Sequence, residues 1–236
     1  MTYSPHNHEP LILVNFKTYS EATGKNAVEL ARKISEVGHN KGVKVAVAPQ
    51  FCDIIQIVTG VGVPVFGQHV DAIGPGAYTG HVTADSLKAA GATGTLLNHS
   101  ERMIKLADIR SAIIRSRELG LLTVVCAGDV ASTAAVSMLM PDMVAIEPPE
   151  LIGTGRAVSR EKPEVITDSV KRIREVNPTV KILCGAGITT GDDVYTALKL
   201  GAEGFLIASG VVRAPDPTRV MTDFCEAANR FSRTLK

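Results

Sequence analysis

The sequence predicts a single (β/α)8 barrel, in which eight parallel strands alternate with helices along one chain. The length of 236 residues is close to the ~250 that are ordinary for this fold. Short runs rich in β-branched and other apolar residues recur along the chain, and amphipathic stretches separate them. No Pro/Ser-rich linker interrupts this alternation, so one closed domain is expected.

Eight apolar runs are candidate strands, and each is nearly continuous in apolar residues, as parallel strands buried on both faces are. They span residues 11–15, 43–48, 63–66, 94–98, 122–126, 143–147, 180–184 and 204–207. A doubly wound open sheet is the alternative. It would normally stop at five or six strands and would carry a dinucleotide fingerprint after the first, which is absent here.

The intervening stretches have helical periodicity, most clearly at residues 26–37, 108–119 and 163–176, the last of which begins with a proline. A shorter, weaker helix is expected after Cys52. Gly38, Gly91, Gly120 and Gly201 each follow a helical pattern and are interpreted as helix-ending glycines.

Composition excludes several classes of protein. The net charge is +1 with interspersed signs, and no basic run indicates nucleic-acid binding. No apolar run reaches the ~18 residues of a membrane span. The four cysteines form no C-x-x-C pair and there is no signal peptide, so a soluble protein of the reducing cytoplasm is expected.

Residues 1–10 are expected to be a short flexible extension, and residues 11–236 the barrel domain. His6 and His8 could together hold a metal ion, but a short polar terminus favours a solvated start.

In a barrel, chemistry gathers where strands end. Strand seven ends in Gly185 and Gly187, and strand eight is followed by Ala208, Ser209 and Gly210. Small residues let backbone N–H groups approach an anion, and a following helix adds positive potential. One such turn could simply be a tight turn, but two on neighbouring final strands favour a phosphate site.

Three charged or ionisable side chains also stand at strand ends. Lys17 follows the first strand and would bring a compact positive charge to the mouth of the barrel, although most lysines are simply exposed. His99 follows strand four, where N–H groups of a turn capped by Ser100 would favour its neutral ring; a purely structural histidine is the alternative.

Glu147 closes strand six, and a carboxylate there is costly to bury without a purpose. A structural salt bridge is the alternative interpretation. Pro148 and Pro149 follow, and then a segment of apolar residues and glycines to residue 157. A stiff start and a glycine-containing middle indicate a closing lid.

These residues together resemble the triosephosphate isomerase family, specifically its shorter, archaeal-type branch, from residue 11 onward. Four motifs carry the resemblance: Asn-x-Lys at 15–17, His-Ser-Glu at 99–101, Glu-Pro-Pro-Glu-Leu-Ile-Gly-Thr-Gly at 147–155 and Ala-Ser-Gly at 208–210. They follow strands one, four, six and eight in order. The resemblance implies interconversion of dihydroxyacetone phosphate and glyceraldehyde 3-phosphate, without cofactor or metal.

The resemblance also implies roles. Glu147 would be the general base, His99 the electrophile that polarises the carbonyl, and Lys17 the stabiliser of enediolate and phosphate charge. Asn15 would orient Lys17, and Glu101 would support Lys17 or His99. Asn15, Phe16 and Lys17 are all expected to bind the substrate. The phosphate would rest on backbone N–H groups around four residues, namely Ile152, Gly187, Ala208 and Ser209.

Three departures from the bacterial and eukaryotic pattern concern the lid and its surroundings. Strand seven ends Cys-Gly-Ala-Gly rather than Tyr-Gly-Gly-Ser, so the hydroxyls that latch the lid in those relatives are absent. The first hinge has Pro149 and Glu150 where a tryptophan is usual. Strand five ends in Asp129 where glutamate is common.

Residues 70–81 form a long loop that family members dock into a partner subunit near the lysine. Ile73, Ala77 and Tyr78 would be unusual on an uncovered loop, so a homodimer or homotetramer is expected. Two other functions stay open at this point: another phosphate-binding barrel enzyme, and a non-catalytic sensor of sugar phosphates.

Overall fold

The computed structural model describes residues 9–234, so His6, His8 and most of the predicted extension lie outside the described residues. Glu9 and Pro10 begin the described chain at the end of the barrel where the strands start. The backbone carbonyl of Glu9 accepts a hydrogen bond from Lys181 Nζ at 2.8 Å. Its carboxylate lies 3.2 Å from Lys44 Nζ, so these contacts anchor the entry to the first strand.

The eight predicted strands are present and form one parallel sheet in the order β2-β1-β8-β7-β6-β5-β4-β3. They are β1 Leu11–Asn15, β2 Lys44–Ala48, β3 Phe66–Gly67, β4 Gly94–Leu97, β5 Leu122–Ala127, β6 Met143–Ile146, β7 Lys181–Gly185 and β8 Gly204–Ile207. A single parallel bridge between Val47 and Val65 joins β2 to the strand-three segment. The ring is therefore nearly closed, which confirms the predicted barrel.

Ten α-helical segments lie in the described chain, most of them in the connections between strands. They are α1 Lys25–Lys41, α2 Ile54–Val61, α3 Ala84–Ala89, α4 Leu106–Glu118, α5 Val130–Ser137, α6 Val158–Glu161, α7 Pro163–Val176, α8 Gly191–Lys199, α9 Ser209–Val212 and α10 Pro217–Thr234. The bounds of α7 are those predicted. Within residues 9–234, none of these helices combines the length and apolar character that crossing a membrane requires.

The prediction for Gly38 was wrong, because this glycine lies inside α1 and Gly42 ends the helix in the left-handed conformation at φ 64°. A side chain at Gly38 would meet Val45 Cγ2 at 2.5 Å. The residue therefore permits close packing of α1 on β2. Gly91, Gly120 and Gly201 do follow helix ends with positive φ, as predicted.

Side chains alternate between two cores because successive strand residues point to opposite faces. The barrel interior holds Leu11, Leu13, Ala46, Ala48, Phe66, Leu96, Val124, Cys126, Met143, Ala145, Leu183 and Leu206. The intervening strand residues pack outward against the helices. Asn15 follows Leu11 and Leu13 in the inward series, and Glu147 follows Met143 and Ala145. The alternation therefore places both polar side chains in the mouth of the barrel.

Candidate active site

A pocket opens at the end of the barrel where the strands terminate. Asn15, Lys17, His99 and Glu147 line it together with the lid and the turns after β7 and β8. Four of the predicted site residues, drawn from three separate strand ends, therefore meet in one cavity.

Glu147 is buried, with 6% of its surface exposed. Burial raises the pKa of its carboxyl, while His99, the Cys126 thiol and Lys17 act to lower that pKa. Within the described residues Oε2 has no hydrogen-bond partner, and His99 Nε2 lies 3.6 Å from it. The carboxylate is thus desolvated and has an unused lone pair, which are properties of a base.

Gly185 makes room for this carboxylate at the end of β7. A side chain there would meet Glu147 Cγ and Oε1, each at 2.6 Å. The glycine that was interpreted only as part of a phosphate turn therefore also lets Glu147 occupy the pocket.

His99 is buried and its ring is oriented by the chain that follows it. The N–H of Glu101 donates to His99 Nδ1 at 3.2 Å. An N–H donor at Nδ1 requires that nitrogen to be unprotonated, so the ring carries its proton on Nε2, which faces Glu147. The neutral ring was predicted, although the donor is a turn N–H and the next helix, α4, begins only at Leu106.

Lys17 and Glu101 form an ion pair, with Nζ 2.7 Å from Oε1. The Glu101 carboxylate also lies 3.5 Å from His99 Nδ1, so it adjoins both groups that it was expected to support. Lys17 has a positive φ of 48°, which is uncommon outside glycine. Its N–H donates to Asn15 Oδ1 at 3.0 Å, and its carbonyl accepts from Gln68 Nε2 at 2.8 Å.

Phe16 is fully buried and packs in the outer core between barrel and helices. It does not line the pocket, because its side chain points away from the faces used by its two neighbours. Sequence adjacency to Lys17 thus gave it a substrate-binding assignment that strand alternation does not support.

Asn98 was overlooked as a functional candidate. It has a positive φ of 58°, and its amide nitrogen donates to the Cys126 carbonyl at 3.0 Å. Its amide oxygen accepts the Ile104 N–H at 3.0 Å. The side chain thereby fixes both ends of the turn that carries His99. The sequence feature that could have indicated this role was a polar residue directly before the histidine.

The predicted phosphate turns lie together along one wall of the pocket, which includes Gly187, Ala208 and Ser209. In the described chain the N–H groups of Gly187 and Ser209 donate to no protein acceptor. The Ile152 N–H, in contrast, donates to the Pro149 carbonyl at 3.2 Å. Gly153, which also lines the pocket, has no such internal bond and offers the lid N–H that was expected of Ile152.

The lid, defined as residues 148–157, begins with a short 3-10 turn at Pro149–Leu151 and has positive φ at Gly153 and Gly155. Glu150 near its start forms an ion pair with Lys162 beyond its end. Directly after the lid, the Val158 N–H donates to the Ala186 carbonyl at 3.2 Å. A backbone bond to the β7 turn thus holds the lid's far end in a chain that lacks the tyrosine and serine hydroxyls.

Two residues at the departures from the family pattern, Asp129 and Cys184, have simple structural roles. Asp129 caps α5 by accepting the Ser132 N–H at 2.8 Å, and this bond is the main reason that its pKa is lowered. Cys184 is fully buried in the outer core rather than directed into the pocket.

The nearly closed parallel barrel, with a buried carboxylate facing an imidazole and an ammonium group at one end, defines an α/β-barrel enzyme suited to acid–base chemistry. A family model for triosephosphate isomerase matches residues 10–228. The triosephosphate isomerase of Methanosarcina barkeri is 49% identical over 214 residues, covering 91% of this chain and 96% of the relative. That of Methanothermobacter thermautotrophicus is 50% identical over 214 residues, covering 91% and 93%.

The triosephosphate isomerase of Methanocaldococcus jannaschii is 50% identical over 204 residues, covering 86% of this chain and 93% of the relative. The chain belongs to the triosephosphate isomerase family. The predicted resemblance is confirmed over most of the chain.

The environment of Glu147 can be tested by titration. Its pKa should lie above the ordinary 4.5, and Cys126→Ala should raise it further because the thiol acts to lower it. Infrared titration of ¹³C-glutamate-labelled protein measures this pKa, with Glu147→Gln identifying the band. Cys225→Ala, which removes a buried thiol on α10 that is not coupled to Glu147, is the matched control. An unchanged or lowered pKa in Cys126→Ala would contradict the assignment.

Proposed function

We propose that this chain interconverts dihydroxyacetone phosphate and D-glyceraldehyde 3-phosphate through an enediolate, as an intramolecular aldose–ketose isomerase of glycolysis and gluconeogenesis. The observation that carries the proposal is the buried Glu147 carboxylate, with its unpartnered Oε2 beside the protonated nitrogen of His99. A base and a hydrogen-bond donor so arranged can act on a carbon and on the oxygen next to it.

In this proposal Glu147 removes a proton from the carbon beside the substrate carbonyl. The same carboxyl returns the proton to the neighbouring carbon, so no net proton is consumed. The raised pKa brings the base closer to the operating pH, which improves proton return from the carboxylic acid. Since only the carboxylate can accept a proton, activity should fall on the acid side at a higher pH than an ordinary glutamate would give.

His99 and Lys17 are proposed to stabilise the charge that develops on oxygen. The Nε2–H of His99 donates a hydrogen bond to the carbonyl as it becomes an enediolate. Lys17, held by Glu101 and Asn15, supplies a fixed positive charge near the same oxygen and the phosphate. Donors already oriented toward developing charge are a large source of catalysis in a dry pocket.

The phosphate is proposed to bind the N–H groups of the lid at Gly153, next to Ile152, and of the turns after β7 and β8 at Gly187, Ala208 and Ser209. Support comes from the pocket wall and from the internally unbonded N–H groups of Gly187 and Ser209. Lid closure excludes water and disfavours loss of phosphate from the enediolate.

The free thiol of exposed Cys52 is compatible with activity in a reducing cytoplasm.

Glu147→Gln tests the proposed function, because the amide cannot accept the proton. Turnover of glyceraldehyde 3-phosphate in a coupled assay should fall on the order of 10²–10⁴-fold, as expected for loss of a general base. The affinity for 2-phosphoglycolate, measured by calorimetry, should persist. Glu164→Gln, an exposed glutamate on α7, is the control. An unreactive wild-type chain, or a fully active Glu147→Gln variant, would refute the proposal.

We also propose that the chain forms a homodimer or homotetramer through residues 70–81. The Asp71 carboxylate fixes the base of this loop by accepting the Val82 N–H at 2.7 Å and lying 3.2 Å from His81 Nδ1. Tyr78 near its tip is 50% exposed. A hollow beside Lys17, lined by Phe51 and other residues, is a suitable receptor for a loop from a second copy.

Tyr78→Asp should weaken this association, because a charge would replace a large aromatic contact at the loop tip. Light scattering coupled to size-exclusion chromatography measures the protein concentration below which the assembly dissociates. This concentration should be at least about tenfold higher than for wild type. Val176→Asp, a similar change at a partly exposed apolar residue ending α7, should leave the mass unchanged. A monomeric wild-type chain at all concentrations would contradict the proposal.

A further inference from the structure

Asp193, in the first turn of α8, is a buried carboxylate with no part in the proton transfer described above. Only 2% of its surface is exposed. Aspartate is almost never fully buried unless it is paired, because desolvating the charge is costly. Its partners therefore indicate what the burial achieves.

One set of partners lies in the turn after β7. Oδ2 of Asp193 accepts the N–H groups of Thr189 at 3.1 Å and of Thr190 at 2.9 Å. These residues follow Gly187 and Ile188, which line the pocket wall. The carboxylate thus fixes the backbone that carries the proposed phosphate donors.

The other set of partners lies in α6, the short helix directly after the lid. Arg160 Nε forms an ion pair with Asp193 Oδ1 at 2.5 Å, although this oxygen accepts no hydrogen bond among the described residues. The Ser159 hydroxyl donates to the Asp193 carbonyl at 3.2 Å. Arg160 Nη2 also donates to Thr190 Oγ1 at 3.2 Å. One buried residue therefore contacts both the end of the lid and the phosphate turn.

A helix-capping role accounts for part of this arrangement only. Thr190 and Asp193 form a reciprocal capping box at the start of α8, which stabilises many helices. Such a box needs the bond to Thr190 alone. The bond to Thr189 and the contacts with Ser159 and Arg160 are additional, and they reach a segment more than thirty residues away in sequence.

The turn and the lid also touch directly. A side chain at Gly187 would lie 1.9 Å from the Arg156 carbonyl oxygen, so the two backbones are already in close contact there. A displacement of the end of the lid, which continues into α6, must therefore move the phosphate turn or break the contacts that Asp193 makes.

We propose that Asp193 is a positioning residue that joins the end of the lid to the phosphate turn. Phosphate binding by the turn and closure of the lid are thereby coupled. The inference rests on the proposed function, since it assigns the substrate phosphate to this turn. In this chain the Asp193 carboxylate and Arg160 hold the lid, whereas hydroxyl groups latch it in relatives with the Tyr-Gly-Gly-Ser sequence.

Loss of this junction has a chemical signature. When the enediolate is poorly enclosed, its C–O bond to phosphate breaks, inorganic phosphate leaves with the electron pair, and the remaining enol tautomerises to methylglyoxal. The phosphate released per isomerisation therefore reports on the lid in a way that a general loss of stability does not.

Asp193→Asn is the informative variant, because the amide oxygen can still serve the capping box while the charge opposite Arg160 is lost. We expect the KM for glyceraldehyde 3-phosphate and the Kd for 2-phosphoglycolate to rise about tenfold, which corresponds to ~1.4 kcal/mol. We also expect more phosphate to be released per turnover. Asp192→Asn, at the adjacent residue whose side chain is 76% exposed, should match wild type in all three values.

Arg160→Gln provides a second route if Asp193→Asn does not fold, since this arginine side chain is 56% exposed. It should shift the same values in the same direction. Wild-type KM, Kd and phosphate release in a folded variant at either position would overturn the proposal. Absence of isomerisation by the wild-type chain would instead refute the proposed function itself, so the two failures are distinguishable.

Discussion

The burial of the Glu147 carboxylate is the constraint on which the rest of the site depends. Glu147 follows the inward-facing side chains of β6, so its carboxylate loses its hydration. The surrounding residues lower the free-energy cost of this burial without pairing the charge fully. Gly185 leaves space for it, His99 approaches Oε2 without a hydrogen bond, and Lys17 supplies positive charge nearby. Full pairing would have stabilised the anion and lowered its basicity, so the incomplete pairing is consistent with the proposed role as a base.

Much of the fold could be predicted because its physical cause is local. Parallel strands buried on both faces must be continuously apolar, and all eight were visible as such runs. Alternation along β1 and β6 then fixes where Asn15 and Glu147 point. The same alternation directs Phe16 into the outer core, whereas its prediction as a substrate-binding residue rested on adjacency to Lys17. Gly38 was misassigned because a glycine that ends a helix and a glycine that admits a neighbouring strand look alike in sequence.

Interactions between distant segments could not be predicted in the same way. Nothing in the spacing of Asn98 reveals that its amide reaches both Cys126 and Ile104. Nor does the sequence show that Asp193 meets Arg160 across α7 and β7. Such contacts depend on side-chain direction in the assembled barrel, and they are the contacts that position catalytic groups rather than supply them. The motifs therefore predict the reacting residues, while the contacts that hold these residues became visible only in three dimensions.

The single bridge that joins Val47 to Val65 makes the junction between β2 and β3 the most sparsely paired one in the described barrel. Strand β3 has two residues, whereas β1 aligns five residues with β2. Backbone pairing is therefore sparsest beside the strand that leads into residues 70–81. It is denser along the strands that precede Lys17, His99 and Glu147, so the hydrogen-bond ladder itself fixes the spacing of these three side chains.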